Sequence, residues 1–124
     1  MRLIIGGAYQ GKLEFASKYN ITKDDVIDYS KDDVDKFDKH CLYHFELWVK
    51  KMIELGRDPL KYLDDNEYQF VDKVIIVEDI FCGLVPVDGD LRDYRESLGR
   101  VVQKIAKNAI SVERVVAGLG QRIK

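Results

Sequence analysis

The sequence predicts an α/β fold, a mostly parallel sheet with helices on both faces, and three observations carry that prediction. Two short continuous apolar runs, Leu3-Ile4-Ile5 and Val74-Ile75-Ile76-Val77, read as strands buried on both faces. Other stretches place apolar residues three and four apart, the spacing of helices with one buried stripe. Strand-like and helix-like segments also alternate along the chain, as they do in sheets built from crossover units. With 124 residues, 46% of them hydrophobic, the chain has material for one ordinary core, so residues 1–124 are read as one domain.

The first strand, Leu3-Ile4-Ile5, passes into a tight loop at Gly6-Gly7. Residues 12–19 follow as a helix with Leu13, Ala16 and Tyr19 on one side, and Asn20 is suited to end it in a left-handed conformation. Residues 26–29 predict a second strand, whereas residues 31–39 alternate in charge with little to bury and predict an exposed segment. From Cys41 onward, Phe45, Trp48, Met52 and Leu55 extend a helical stripe that Gly56 caps. Asp58 followed by Pro59 starts a short helix through Leu63, the aspartate accepting from free N–H groups and the proline sitting where no donor is needed. After the strand at residues 74–77, Asp88 is placed to cap a helix running to Asn108, with Leu91, Tyr94, Leu98, Val101 and Ile105 on its buried side. Val115-Val116-Ala117 then forms a last strand ending in Gly118-Leu119-Gly120.

The balance of charges excludes some functions. A formal net charge of −2 gives no global reason to bind nucleic acid or an anionic membrane. No apolar run approaches the roughly 20 residues of a spanning helix, and the first six residues are too short for a secretory signal, which places the chain in the cytoplasm. Cys41 and Cys82 lack the spacing of a metal or redox pair and are read as buried free thiols.

The strongest chemical motif is Gly6-Gly7-Ala8-Tyr9-Gln10-Gly11-Lys12, a match to G-x-x-x-x-G-K between a buried strand and a helix. In that setting successive backbone N–H groups wrap an anion and the lysine adds a full charge at the distal phosphates. The expected class is therefore a P-loop nucleotide-binding domain. The position after Lys12 is Leu13, where such loops carry a hydroxyl for Mg²⁺, so a metal would have to rely on carboxylates and phosphate oxygens. Of the carboxylates, Asp79 is the residue chosen for metal contact or hydroxyl activation, because strand ends in open α/β sheets border the ligand crevice. His40 and His44 fall one helical turn apart but are assigned no role; Trp48 is read as core, and Arg92, Arg95 and Arg100 as a solvated helix face.

Beyond the loop, the chain contains Val74-Ile75-Ile76-Val77-Glu78-Asp79, Gly83-Leu84-Val85-Pro86, Arg92-Asp93, Gly99-Arg100-Val101-Val102-Gln103 and Val116-Ala117-Gly118-Leu119. Together with the loop, this text resembles the adenosylcobinamide kinase/adenosylcobinamide-phosphate guanylyltransferase family, whose members show a Gly-Ile-Val-Pro turn, an Arg-Asp helix and a final Gly-Leu-Pro. The resemblance implies a nucleotide-binding enzyme of cobalamin assembly, typically trimeric, that phosphorylates the aminopropanol hydroxyl of adenosylcobinamide with ATP or GTP. Carried over by position, Gly6, Gly7, Ala8, Tyr9, Gln10, Gly11, Lys12 and Leu13 would hold the nucleotide phosphates, and Lys12 would stabilise the transferred phosphoryl. Asp79 falls where the family has a glutamate. The chain departs from the family at Leu13, at Tyr43 in place of an aspartate, and in the short span from Asp28 to Leu47-Trp48, which lacks the segment bearing the guanylylated histidine. The expected activity is thus a kinase without guanylyl transfer, and the alternative is a non-catalytic nucleotide- or phosphate-binding protein with a regulatory or interaction role.

Overall fold

In the computed structural model the two apolar runs are adjacent strands at the centre of a six-stranded sheet. The structure describes residues 1–79 and 89–124, without the side chains of 89–91. The strands are β1 (Arg2–Gly6), β2 (Val26–Asp28), β3 (Cys41–Tyr43), β4 (Val74–Glu78), β5 (Ser111–Val116) and β6 (Leu119–Arg122). Their order is β2-β3-β4-β1-β5-β6, parallel except for the final antiparallel β5–β6 pair. The helices are α1 (Lys12–Phe15), α2 (Phe45–Glu54), α3 (Pro59–Asp65) and α4 (Gly89–Asn108).

The alternation of side chains across the pleat sorts the core into two layers. On one face Leu3, Leu42, Ile75, Val77 and Val112 pack against α2, α3 and α4 through Trp48, Met52, Leu63, Leu98, Val101 and Ile105. On the other, Ile4, Cys41, Ile76 and Val115 meet Ala16, Leu13 and Phe15 from α1 and the turn of 3-10 helix that continues it, Ala16–Tyr19. The expectation of helices on both faces holds, but among the described residues the second face has only this short cover. Asn20 ends it at φ 64, the left-handed terminator that the sequence predicts. Asp58 accepts from the N–H groups of Leu60 and Lys61, so the predicted cap of α3 is also present.

Three expectations need correction. Residues 41–43 are a strand, and the helix starts only at Phe45, because His44 breaks the chain direction at φ 56. His40 and His44 therefore lie at opposite ends of β3, about 13 Å of extended chain apart, and not on one helical face. The segment 31–39 is not merely exposed: Val34 is buried, and its carbonyl accepts the Trp48 indole N–H at 3.0 Å. Finally, residues 111–122 form a hairpin. Its β5 begins four residues earlier than expected, and Ala117-Gly118 is the turn, not the strand end.

Cys41 is a buried free thiol, pushed up to about 12 chiefly by its burial. Cys82, the stretch Gly83-Leu84-Val85-Pro86 and the Asp88 cap lie outside the described residues, as does the side chain of Leu91. No described helix is long and apolar enough to cross a membrane.

Candidate functional site

The chain leaves the neighbouring strands β1 and β4 in opposite directions. From β1 it runs through α1 to the far strand β2, and from β4 through α4 past β1 to β5. Ligands of open parallel sheets bind outside the carboxyl ends of strands at such a reversal. A cleft of ≈ 1010 Å³ lies there, bordered by residues 8–15, Tyr43, His44, Glu78 and Gly118.

The loop at the end of β1 is held in an unusual shape. Tyr9 takes φ 60 and is fully exposed, and Gly11 takes φ 83 directly before α1. Gly6 must lack a side chain, since a Cβ there would stand 2.6 Å from the Val115 carbonyl oxygen. Gln10 ties the loop to the β5–β6 turn twice: its side-chain Oε1 accepts from the Ala117 N–H at 2.7 Å, and its carbonyl from the Gly118 N–H at 2.8 Å. Among the described residues, the backbone N–H groups of 8–14 find no acceptor, whereas Phe15 donates to the Gly11 carbonyl at 2.9 Å. A run of unpaired donors in a loop and at the start of a helix is the backbone chemistry of an anion site.

Lys12 is the charge within this loop. It is only 6% exposed, and its Nζ donates to the Gly7 carbonyl at 2.5 Å. A phosphate oxygen would compete for that ammonium as a charged acceptor against a neutral one, and the charged bond is the stronger.

The pleat decides which carboxylate of Glu78-Asp79 reaches the cleft. Glu78 shares the α1 side of the sheet with Val74 and Ile76 and lines the cleft, as does Tyr43. Asp79 falls on the side of Ile75 and Val77, where its Oδ2 accepts from Arg114 Nη2 at 3.2 Å while its N–H donates to the Gly6 carbonyl at 2.7 Å. The structure thus brings the loop and Lys12 together with Glu78 and places Asp79 in an ion pair behind them. Mg²⁺ with a bound nucleotide asks for one or two protein carboxylates, the rest of its shell being water and phosphate. Glu78 is placed to be one of them, Leu13 supplies no oxygen, and Asp79 would have to share its carboxylate with Arg114.

Sequence reading passed over three neighbours of this site. Glu46, one residue into α2, is buried with its Oε1 accepting the Glu78 N–H at 2.9 Å. Burial pushes its carboxyl above the usual carboxylate range, and the Glu78 charge adds to this against the backbone hydrogen bonds. His44 follows β3 and lies 2.8 Å, Nδ1 to Oδ1, from Asp28 at the end of β2. Arg114 is the third. An i, i+2 count along β4 would have separated Glu78 from Asp79, but nothing in the sequence shows that β2 and β3 are neighbours.

No model of a known protein family matches the chain, and no curated protein gives a significant match. The chemistry of the site itself therefore carries the functional reading.

Proposed function

We propose that the chain is a P-loop nucleotide-binding protein that holds the phosphates of ATP or GTP in the cleft at the end of β1 and transfers the terminal phosphoryl group to a hydroxyl. The observation that carries this is the run of unpaired N–H donors over residues 8–14 around the buried ammonium of Lys12. Both ends of a phosphate's recognition are supplied, oriented dipoles and one full charge, in a loop whose Tyr9 and Gly11 hold positive φ. The resemblance to adenosylcobinamide kinases suggests the aminopropanol hydroxyl of adenosylcobinamide as acceptor. Mg²⁺ held by Glu78 would neutralise charge on the phosphates, while Asp79, the other carboxylate of this strand end, is engaged by Arg114.

Calorimetry with ATP and GTP, with and without Mg²⁺, tests the binding, and phosphorus NMR of mixtures with adenosylcobinamide tests the transfer. The reading expects affinity that rises with Mg²⁺ and a phosphorylated cobinamide; wild-type protein that binds neither nucleotide sinks it. Leu13 favours a second reading, a non-catalytic phosphate sensor, for which nucleotide affinity would be indifferent to Mg²⁺ and no product would form.

A further inference from the structure

The parallel pairing of β2 with β3, with Asp28 opposite Tyr43, brings Asp28 beside His44, which lines the cleft. The Asp28 carboxylate sits 2.8 Å from His44 Nδ1. A carboxylate only accepts, so Nδ1 carries a proton, and in the neutral ring Nε2 keeps its lone pair. Among the described residues, Nε2 has no hydrogen-bond partner, and the ring is a quarter exposed where it lines the cleft with Lys12. Asp28 is itself fixed, accepting from the Ser30 N–H at 2.9 Å and the Ser30 hydroxyl at 2.7 Å. Burial works against its charge, but the bonds from His44 and Ser30 outweigh it and hold the carboxyl below its ordinary value. The backbone at His44 adopts φ 56, a left-handed conformation uncommon for a non-glycine residue.

A histidine that merely satisfied a turn would not need an oriented tautomer, a strained backbone and an unpaired nitrogen on the wall of the phosphate cleft. We propose that His44, positioned by Asp28, is the general base that takes the proton of the acceptor hydroxyl. This rests on reading the cleft as a phosphoryl-transfer site. The acceptor O–H bond breaks toward Nε2 as the oxygen's electron pair forms a bond to the terminal phosphorus. The bond from that phosphorus to its bridging oxygen breaks, and the nucleoside diphosphate leaves with the electron pair. The resulting imidazolium keeps its Nδ1–H on Asp28 and later returns the Nε2 proton to water. Asp28 from β2, Tyr43 from β3 and Glu46 from α2 adjoin the ring, and Glu78 from β4 and Lys12 and Glu14 from α1 line the same cleft. The Glu78 carboxylate, the other base lining the cleft from a strand end, makes no hydrogen bond to a described residue and has nothing to orient it.

The test uses full-length protein with Mg²⁺ and ATP or GTP, with adenosylcobinamide or water as acceptor. His44→Asn tolerates the left-handed backbone, and His44→Gly leaves room for added imidazole. Both are expected to keep nucleotide affinity within about twofold while turnover falls roughly 100-fold or more, the usual worth of a general base. Imidazole is expected to restore turnover to the glycine variant. Nitrogen-15 NMR should show His44 protonated at Nδ1 in wild type, and Asp28→Asn should abolish that preference. Undiminished turnover in the His44 variants, failed rescue, or an Nε2–H tautomer in wild type overturns the proposal. Wild type that binds nucleotide yet phosphorylates neither acceptor overturns it while leaving the binding reading intact; absence of nucleotide binding removes the reading on which it rests.

Discussion

The two ends of the sheet treat their backbone in opposite ways. At the amino ends of the strands, carbonyls and N–H groups pair from strand to strand: Arg2 donates to Lys73, Val74 to His40 and Ile110 to Met1. The Lys73 ammonium closes that edge on the carbonyls of Phe37 and Lys39 at 2.6 and 2.5 Å. At the carboxyl ends, residues 8–14 leave their donors unpaired, and Tyr9, His44 and Ala117 hold left-handed conformations. One end is built for stability, and the other spends some of it on exposed donors and strained loops. Strain and unmet hydrogen bonds collect where a ligand is to supply what is missing.

The contrast can be broken from either side. Trp48 projects from α2 into the first core layer, fully buried, stacked on Phe45 with ring centroids 4.6 Å apart. Trp48→Ala should cost about 3–5 kcal/mol in chemical denaturation, the loss expected for a large aromatic side chain that leaves a cavity. Lys12→Met keeps the buried stem and removes the charge. It should weaken ATP binding by roughly 10- to 100-fold, as deletion of one charged hydrogen-bond donor does, with little change in the denaturation midpoint. A mutant that loses stability but not affinity would place Lys12 in the core and not in the site.

Glu46 joins the two regimes, since it is buried like the core and anchors the Glu78 N–H at the cleft. Its folded pKa is raised above the unfolded value of 4.5. That stabilising contribution is complete below 4.5 and is lost as pH rises through the folded pKa. Glu46→Gln keeps an oxygen for the Glu78 N–H without the buried charge, so its melting temperature should exceed wild type at pH 7. The difference should close in acid, and a pH-independent difference would show that the charge is not the cause. The smallest effect is expected at Ala117, where φ 51 suits asparagine or glycine better than alanine. Ala117→Asn should gain about 0.5–1 kcal/mol by relieving a left-handed residue, and Ala117→Val should lose more than that.

The fold was legible wherever the signal was local. β1 and β4 are continuous apolar runs, α3 has an aspartate cap and a proline, and α4 carries a stripe whose members Tyr94, Leu98, Val101 and Ile105 are all buried. β3 was hidden because Cys41 continues the helical spacing of Phe45 and Trp48, and only the backbone turn at His44 separates strand from helix. β6 was hidden because its residues Leu119–Arg122 are all exposed and carry no alternation of polarity. At the site, the loop could be read as text, for its glycines and lysine are contiguous. The Asp28–His44 pair could not, because it exists only through the order of strands in the sheet.

Gln10 carries a further consequence. Its bond to Ala117 spans 107 residues of chain. During synthesis, the loop emerges well before the turn that braces it, with β2, β3, β4 and α4 between them. Closing so long a loop comes late in folding because its entropy is recovered only once intervening contacts exist. On the proposed reading, affinity for phosphate should accordingly be absent from partly folded chains that already hold β1 and α1, and its appearance should mark completion of the sheet and not merely the presence of the loop motif.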